Sequence, residues 1–153
     1  MGAAFFYHLT RQPLETTLPL LLGKARGAGW RCLVVGPNVA RLEALDARLW
    51  HGNAADFLAH GLAGGPHDAD QPILLSSQFC DTNKPACIMC IDGADITAAH
   101  VQNSERTCIL FDGNDAAATQ SARVQWKTLT DAGCSAQYWS EESGSWQMKA
   151  KKD

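Results

Sequence analysis

Several residue groups have side chains capable of chemistry, and their spacing decides which chemistry is open to them. Cys87-Ile88-Met89-Cys90 has the CxxC spacing of redox pairs and half zinc sites. A redox pair needs an exposed thiolate at a helix N-terminus. This one lies in an apolar run, ACIMCI, that reads as a strand, so its two thiols point to opposite faces. A zinc site would need a second ligand pair, and none follows at suitable spacing. The pair therefore reads as two core cysteines. The turn Val35-Gly36-Pro37-Asn38 sits where α/β proteins often bind ligands, but a dinucleotide fingerprint needs three spaced glycines and only Gly36 is present. No glycine run leads into Lys-Ser or Lys-Thr, so phosphate cradling has no support. His51, His60 and His67, with Asp68 and Asp70, have spacings of nine and seven between the histidines. These match no ligand logic, and surface histidines are expected. Ser76-Ser77 lacks the GxSxG elbow that exposes a nucleophile.

One constellation survives. Arg123, Trp126 and Lys127 are spaced i, i+3 and i+4 and share one face of a helix. Two cations beside an indole suit an exposed platform for a chain end that is both acidic and aromatic. The same pattern also describes a solvated helix face whose tryptophan is tucked partly into the core.

The elements that position these residues follow from periodicity. Ala4 to Leu9 is a short aromatic strand. Leu14 to Ala28 has helical spacing, opened by Pro13 and closed by Gly27 and Gly29. Trp30 to Val35 reads as a doubly buried parallel strand. A helix from Val39 to Leu49 buries Val39, Leu42, Leu45 and Leu49. Trp50 to Pro66 is irregular, and an exposed loop runs on to Asp70. Strands follow at Ile73 to Leu75, Ala86 to Ile91 and Thr107 to Phe111. A helix capped by Asn114 or Asp115 runs to about Asp131, and a last strand spans Ala136 to Trp139. The alternation implies parallel βαβ units and an α/β fold: a single three-layer domain over residues 1–153, with a mostly parallel central sheet flanked by helices.

Composition narrows the function. At 153 residues, 46% hydrophobic, the chain is long enough to bury a core without disulfide or metal staples. A net charge of −3 argues against tight nonspecific nucleic-acid binding. No secretory signal or membrane-spanning run is seen, so the six cysteines are expected to be reduced thiols in the cytoplasm.

The motifs form an ordered series: FFYHL, WRCLVV, RLEALDARLW, FLAH-L, an AC-strand ending in DG, ILFDG, RVQWK, AG and YW. In that order and spacing, nearly to Trp146, the sequence resembles the chi subunit of bacterial DNA polymerase III. The resemblance implies a non-catalytic accessory subunit without cofactor or metal. It implies two partners: a psi subunit that tethers it to the clamp loader, and the acidic C-terminal tail of single-stranded DNA-binding protein. Carried over by motif, the tail pocket would use Trp50, Phe57, Arg123, Trp126 and Lys127. Thr119, where the family often has a basic residue, and Asp112 thin the positive charge expected there. The resemblance places no psi-binding residues. A small α/β enzyme with its site at the C-terminal ends of the strands is the alternative.

Overall fold

A computed structural model describes residues 2–51 and 58–152. The chain opens with β1 (Ala3–Leu9), α1 (Leu14–Gly27), β2 (Cys32–Val35) and α2 (Val39–Trp50). β3 (Gly61–Leu62), a 3-10 turn (Asp68–Asp70), β4 (Ile73–Ser76) and β5 (Cys87–Cys90) follow. α3 (Ala98–Gln102), β6 (Arg106–Asp112), α4 (Ala116–Asp131), β7 (Ser135–Ser140) and β8 (Gln147–Lys152) complete it. The strands form an 8-stranded sheet in the order β3-β4-β2-β5-β6-β1-β7-β8. Every neighbouring pair is parallel except β7 with β8.

The sheet divides the apolar residues into two cores. On one side, Leu18 and Leu22 of α1 and Leu42, Leu45 and Leu49 of α2 pack on Val34, Met89 and Leu110. On the other, Val101 of α3 and Ala122 and Leu129 of α4 pack on Phe6, Leu33, Ile88 and Ile109. Residues one apart on a strand serve opposite cores, so the central strands carry no polar alternation. Helices on both faces of a mostly parallel sheet make the three layers expected from the sequence. Gly133, with φ of 91°, ends α4 in a conformation that favours glycine. At Gly113 a side chain would collide with the His8 ring, so the turn after β6 must stay bare.

Several elements differ from the sequence reading. Val39 is 54% exposed, because α2 turns only Leu42, Leu45 and Leu49 inward. As the sequence spacing placed it, α1 runs through Pro19, which has no N–H to donate to the Glu15 carbonyl. α3 was not expected: Thr97 accepts from His100 N and the His100 ring accepts in return from Thr97 N, a reciprocal cap built on an unusual residue. β8 was not expected, since a fully exposed strand has no apolar face to show.

Glu141 is buried, with its carboxylate closing the turn into α1. One oxygen accepts from the backbone N–H groups of Thr10, Arg11 and Gln12 at 3.1, 2.9 and 2.9 Å. Such charge-assisted bonds tie the end of β7 to the end of β1. Glu141→Ala, which leaves those donors without their acceptor, is expected to cost about 1–3 kcal/mol in urea unfolding. Phe6→Ala, which empties a fully buried ring site, is expected to cost about 3–5 kcal/mol in the same assay.

Candidate functional site

α4 is capped by Asp115, whose carboxylate accepts from Ala117 N and Ala118 N at 2.9 and 3.2 Å. Ala122 and Leu129 point into the sheet, and Gln125 Nε2 donates to the Ala94 carbonyl. This orientation leaves Arg123 and Lys127 in solvent, with Trp126 half-buried at the rim. The indole meets Phe6 at 5.4 Å and Tyr138 at 6.2 Å, both edge-on. Beyond Tyr138 the aromatic tier continues through His8 at 5.8 Å and Phe111 at 6.0 Å, and His8 stacks on Phe111. Burial pushes the Tyr138 hydroxyl above its ordinary range, and the nearby Arg123 guanidinium partly opposes that shift. Tyr138 therefore belongs to the surface, although sequence reasoning had assigned it only to a strand.

The two cations are not equivalent. Lys127 pairs with Asp131 at 3.0 Å, an exposed i, i+4 contact that competes weakly with any ligand. Among the described residues, Arg123 has no carboxylate within ion-pair distance. Thr119 Oγ1 donates to the Asp115 carbonyl, and Asp112 accepts from Asn114 N, so both are engaged in the entry to α4.

The structure does not bring Trp50 to this surface. Trp50 ends α2, which packs on β3 and β4 in the other layer, whereas α4 packs on β6, β1 and β7. The indole is 55% exposed and lies 4.8 Å from the His60 ring. Phe57 lies outside the described residues. His60, expected at the surface, is buried: its ring nitrogens lie 2.6 Å from the Leu58 carbonyl and 3.1 Å from the Asp46 carbonyl. These bonds make it a peg between α2 and the start of β3, which its spacing in the sequence did not reveal.

The C-terminal ends of the strands enclose a cavity of about 560 Å³ lined by Pro37, Asn38, Arg41, Asp92, Asp112 and Asp115, among others. Several of its polar groups hold the backbone or one another, although buried Arg41 Nε has no hydrogen-bond partner among the described residues. Asn38 accepts from Arg41 N, Asp115 caps α4, and Arg41 pairs with Glu15 at 3.1 Å. Asp92 adopts φ of 53° at the end of β5. Among the described residues, no group of three His, Cys, Asp or Glu side chains could hold a metal ion. Nor, among them, is any helix long and apolar enough to cross a membrane.

The α/β domain presents Arg123, Trp126 and Lys127 together on one face of α4. The family model described as DNA polymerase III chi subunit, HolC, matches residues 1–137, and the chain belongs to that family of replication accessory subunits. A curated relative, the probable DNA polymerase III subunit chi of Rickettsia prowazekii (strain Madrid E), is 23% identical over 90 residues. That stretch covers 59% of this chain and 54% of the relative, about half its length.

The CxxC pair is split as the strand reading expected, with Cys87 in the core beneath α1 and α2 and Cys90 in the core beneath α3 and α4. Burial pushes the Cys90 thiol up to about 12. A hydrogen bond to Cys108 raises the Cys87 thiol, and one to Cys87 raises the Cys32 thiol, with burial adding to both. These shifts keep the native thiols protonated where an unfolded chain would ionise them from its ordinary value of 9.0. The folded state then binds more protons, so the Cys90 contribution is complete below pH 9.0 and is lost as pH rises toward about 12. Denaturant titrations at stepped alkaline pH should show a falling midpoint across that window. Replacing Cys90 with Ala should flatten part of the fall.

Proposed function

We propose that the chain is a non-catalytic accessory subunit of DNA polymerase III that binds the acidic C-terminal tail of single-stranded DNA-binding protein through α4 and pairs with a psi subunit. The observation that carries the tail reading is Arg123: an exposed guanidinium without a carboxylate partner among the described residues, beside the half-buried rings of Trp126 and Tyr138. Arg123 can clasp a terminal carboxylate with two parallel hydrogen bonds, and Lys127 can exchange Asp131 for an acidic residue of the ligand. The exposed edge of Trp126 and the Tyr138 ring offer a terminal aromatic side chain a place to pack. Ordering a disordered tail costs entropy and exposed charges are screened, so binding should be weak to moderate and reversible. Family membership supports the replication role, and a cytoplasmic location follows from this reading.

The test is titration of the chain with an acidic peptide ending in Asp-Phe, followed by tryptophan fluorescence. Arg123→Ala should weaken binding roughly tenfold, the size usual for a truncated anchor. Amidating the peptide's terminus should do the same. Raising ionic strength to about 1 M, where screening acts within ~3 Å, should abolish it. Trp50→Ala should leave it unchanged; a loss there would move the tail to the α2 side. Binding indifferent to Arg123→Ala would remove α4 from the proposal.

A further inference from the structure

The side of the sheet that carries α1 and α2 is not covered to its end. In register, Arg106 and Leu110 of β6 face that side, followed by Phe5 and Tyr7 of β1, Gln137 and Trp139 of β7, and Met148 and Lys151 of β8. α1 makes its main contacts with α2, β2 and β6, while α4 lies across β1 and β7 on the opposite side. Burial follows this asymmetry. Ala4, Phe6 and Ala136 point beneath α4 and are buried, but Phe5, Tyr7, Gln137 and Trp139 remain half-buried. Trp146 is 37% exposed, edge-on to Tyr7 at 5.4 Å, and Met148 is 47% exposed. At the far end, the Arg106 guanidinium lies 4.2 Å above the Phe5 ring and 5.2 Å from that of Trp30. Among the described residues no carboxylate forms an ion pair with it.

We infer that this face docks an amphipathic helix of a partner protein, with its apolar stripe on Tyr7, Trp139, Trp146 and Met148 and its carboxylates toward Arg106. Each covered part of this sheet is covered by helices, and a helix would complete the layer begun by α1. The dimensions agree. Three strands about 4.8 Å apart present a strip about 10 Å wide, close to one helix diameter. A strand as long as β1 matches a helix of about 15 residues. Charge selects the occupant, because the Arg106 guanidinium at one end of the strip would repel a basic helix and pair with an acidic one. The lysines of β8 disfavour the other use of this margin, addition of a further strand to its edge. The surface lies on the opposite side of β1 and β7 from α4, so this partner and an acidic tail could be held together.

Two synthetic peptides of about 15 residues test this. Both carry a leucine stripe; one is flanked by glutamates, the other by lysines. Titrated calorimetrically into the whole chain, the glutamate peptide should bind and the lysine peptide should not. Met148→Glu, on an exposed strand, and Arg106→Gln should each weaken binding roughly tenfold. Arg123→Ala should leave it unchanged, which separates this surface from the tail site. No binding of the glutamate peptide, equal binding of both, or indifference to Met148→Glu would overturn the inference. A concentration-dependent dimer in sedimentation, dispersed by Met148→Glu, would overturn it in favour of a second copy of the chain.

Discussion

The seating of β1 between β6 and β7 is the constraint on which the rest of the structure depends. Its parallel ladders run along the whole strand on one side and nearly all of it on the other. Its alternate side chains feed different layers. Phe6 fills the core beneath α4 and supports Trp126, while Phe5 and Tyr7 look the other way and support Arg106 and Trp146. The Glu141 carboxylate, held by three backbone donors, locks the strand's exit into α1. Both surfaces argued to hold partners therefore rest on one strand, and neither has an independent foundation.

This arrangement explains how a chain of modest size can present two unlike surfaces. The α4 surface is a helix face, with cations projecting from consecutive turns and an indole anchored by rings beneath it. The opposite surface is a sheet face, flat and aromatic, with its cation stacked on rings at one end. A contact on the first should be dominated by charge and respond to salt, whereas one on the second should draw mainly on buried apolar area and resist it. Strand-end chemistry, the usual use of a doubly wound sheet, is opposed here by the way Asn38, Asp112 and Asp115 are spent on turns and caps.

Much of this was legible in the sequence. The doubly buried strands announce themselves as continuous apolar runs, and α2 and α4 by their period. The shared face of Arg123, Trp126 and Lys127 follows from spacing alone, as does the splitting of Cys87 from Cys90. The failures share a cause: they concern relations between segments that sequence order does not encode. That Trp50 and Trp126 fall in different layers depends on which way each crossover turns. That His60 is buried depends on carbonyls of Asp46 and Leu58, which carry no side-chain signal. β8 has no buried face at all, and α3 is a single turn whose cap uses a histidine where glutamate would be expected.

The central place of a strand made before both its neighbours has a consequence for synthesis. β1 leaves the ribosome early, but its parallel neighbours are β6 and β7, and the second of these ends only at Ser140. Until β6 is made, its run of aromatic and small residues, AAFFYHL, has no native strand beside it, and its second edge stays open until β7 follows. The intervening units, β2 with α1 and α2 and then β4 and β5, can gather first. β1 must wait for two neighbours made long after it. Such late, non-local pairing slows folding and leaves an adhesive segment in reach of other nascent chains. For this protein, the interval between making β1 and making β7 is a period of exposure to aggregation.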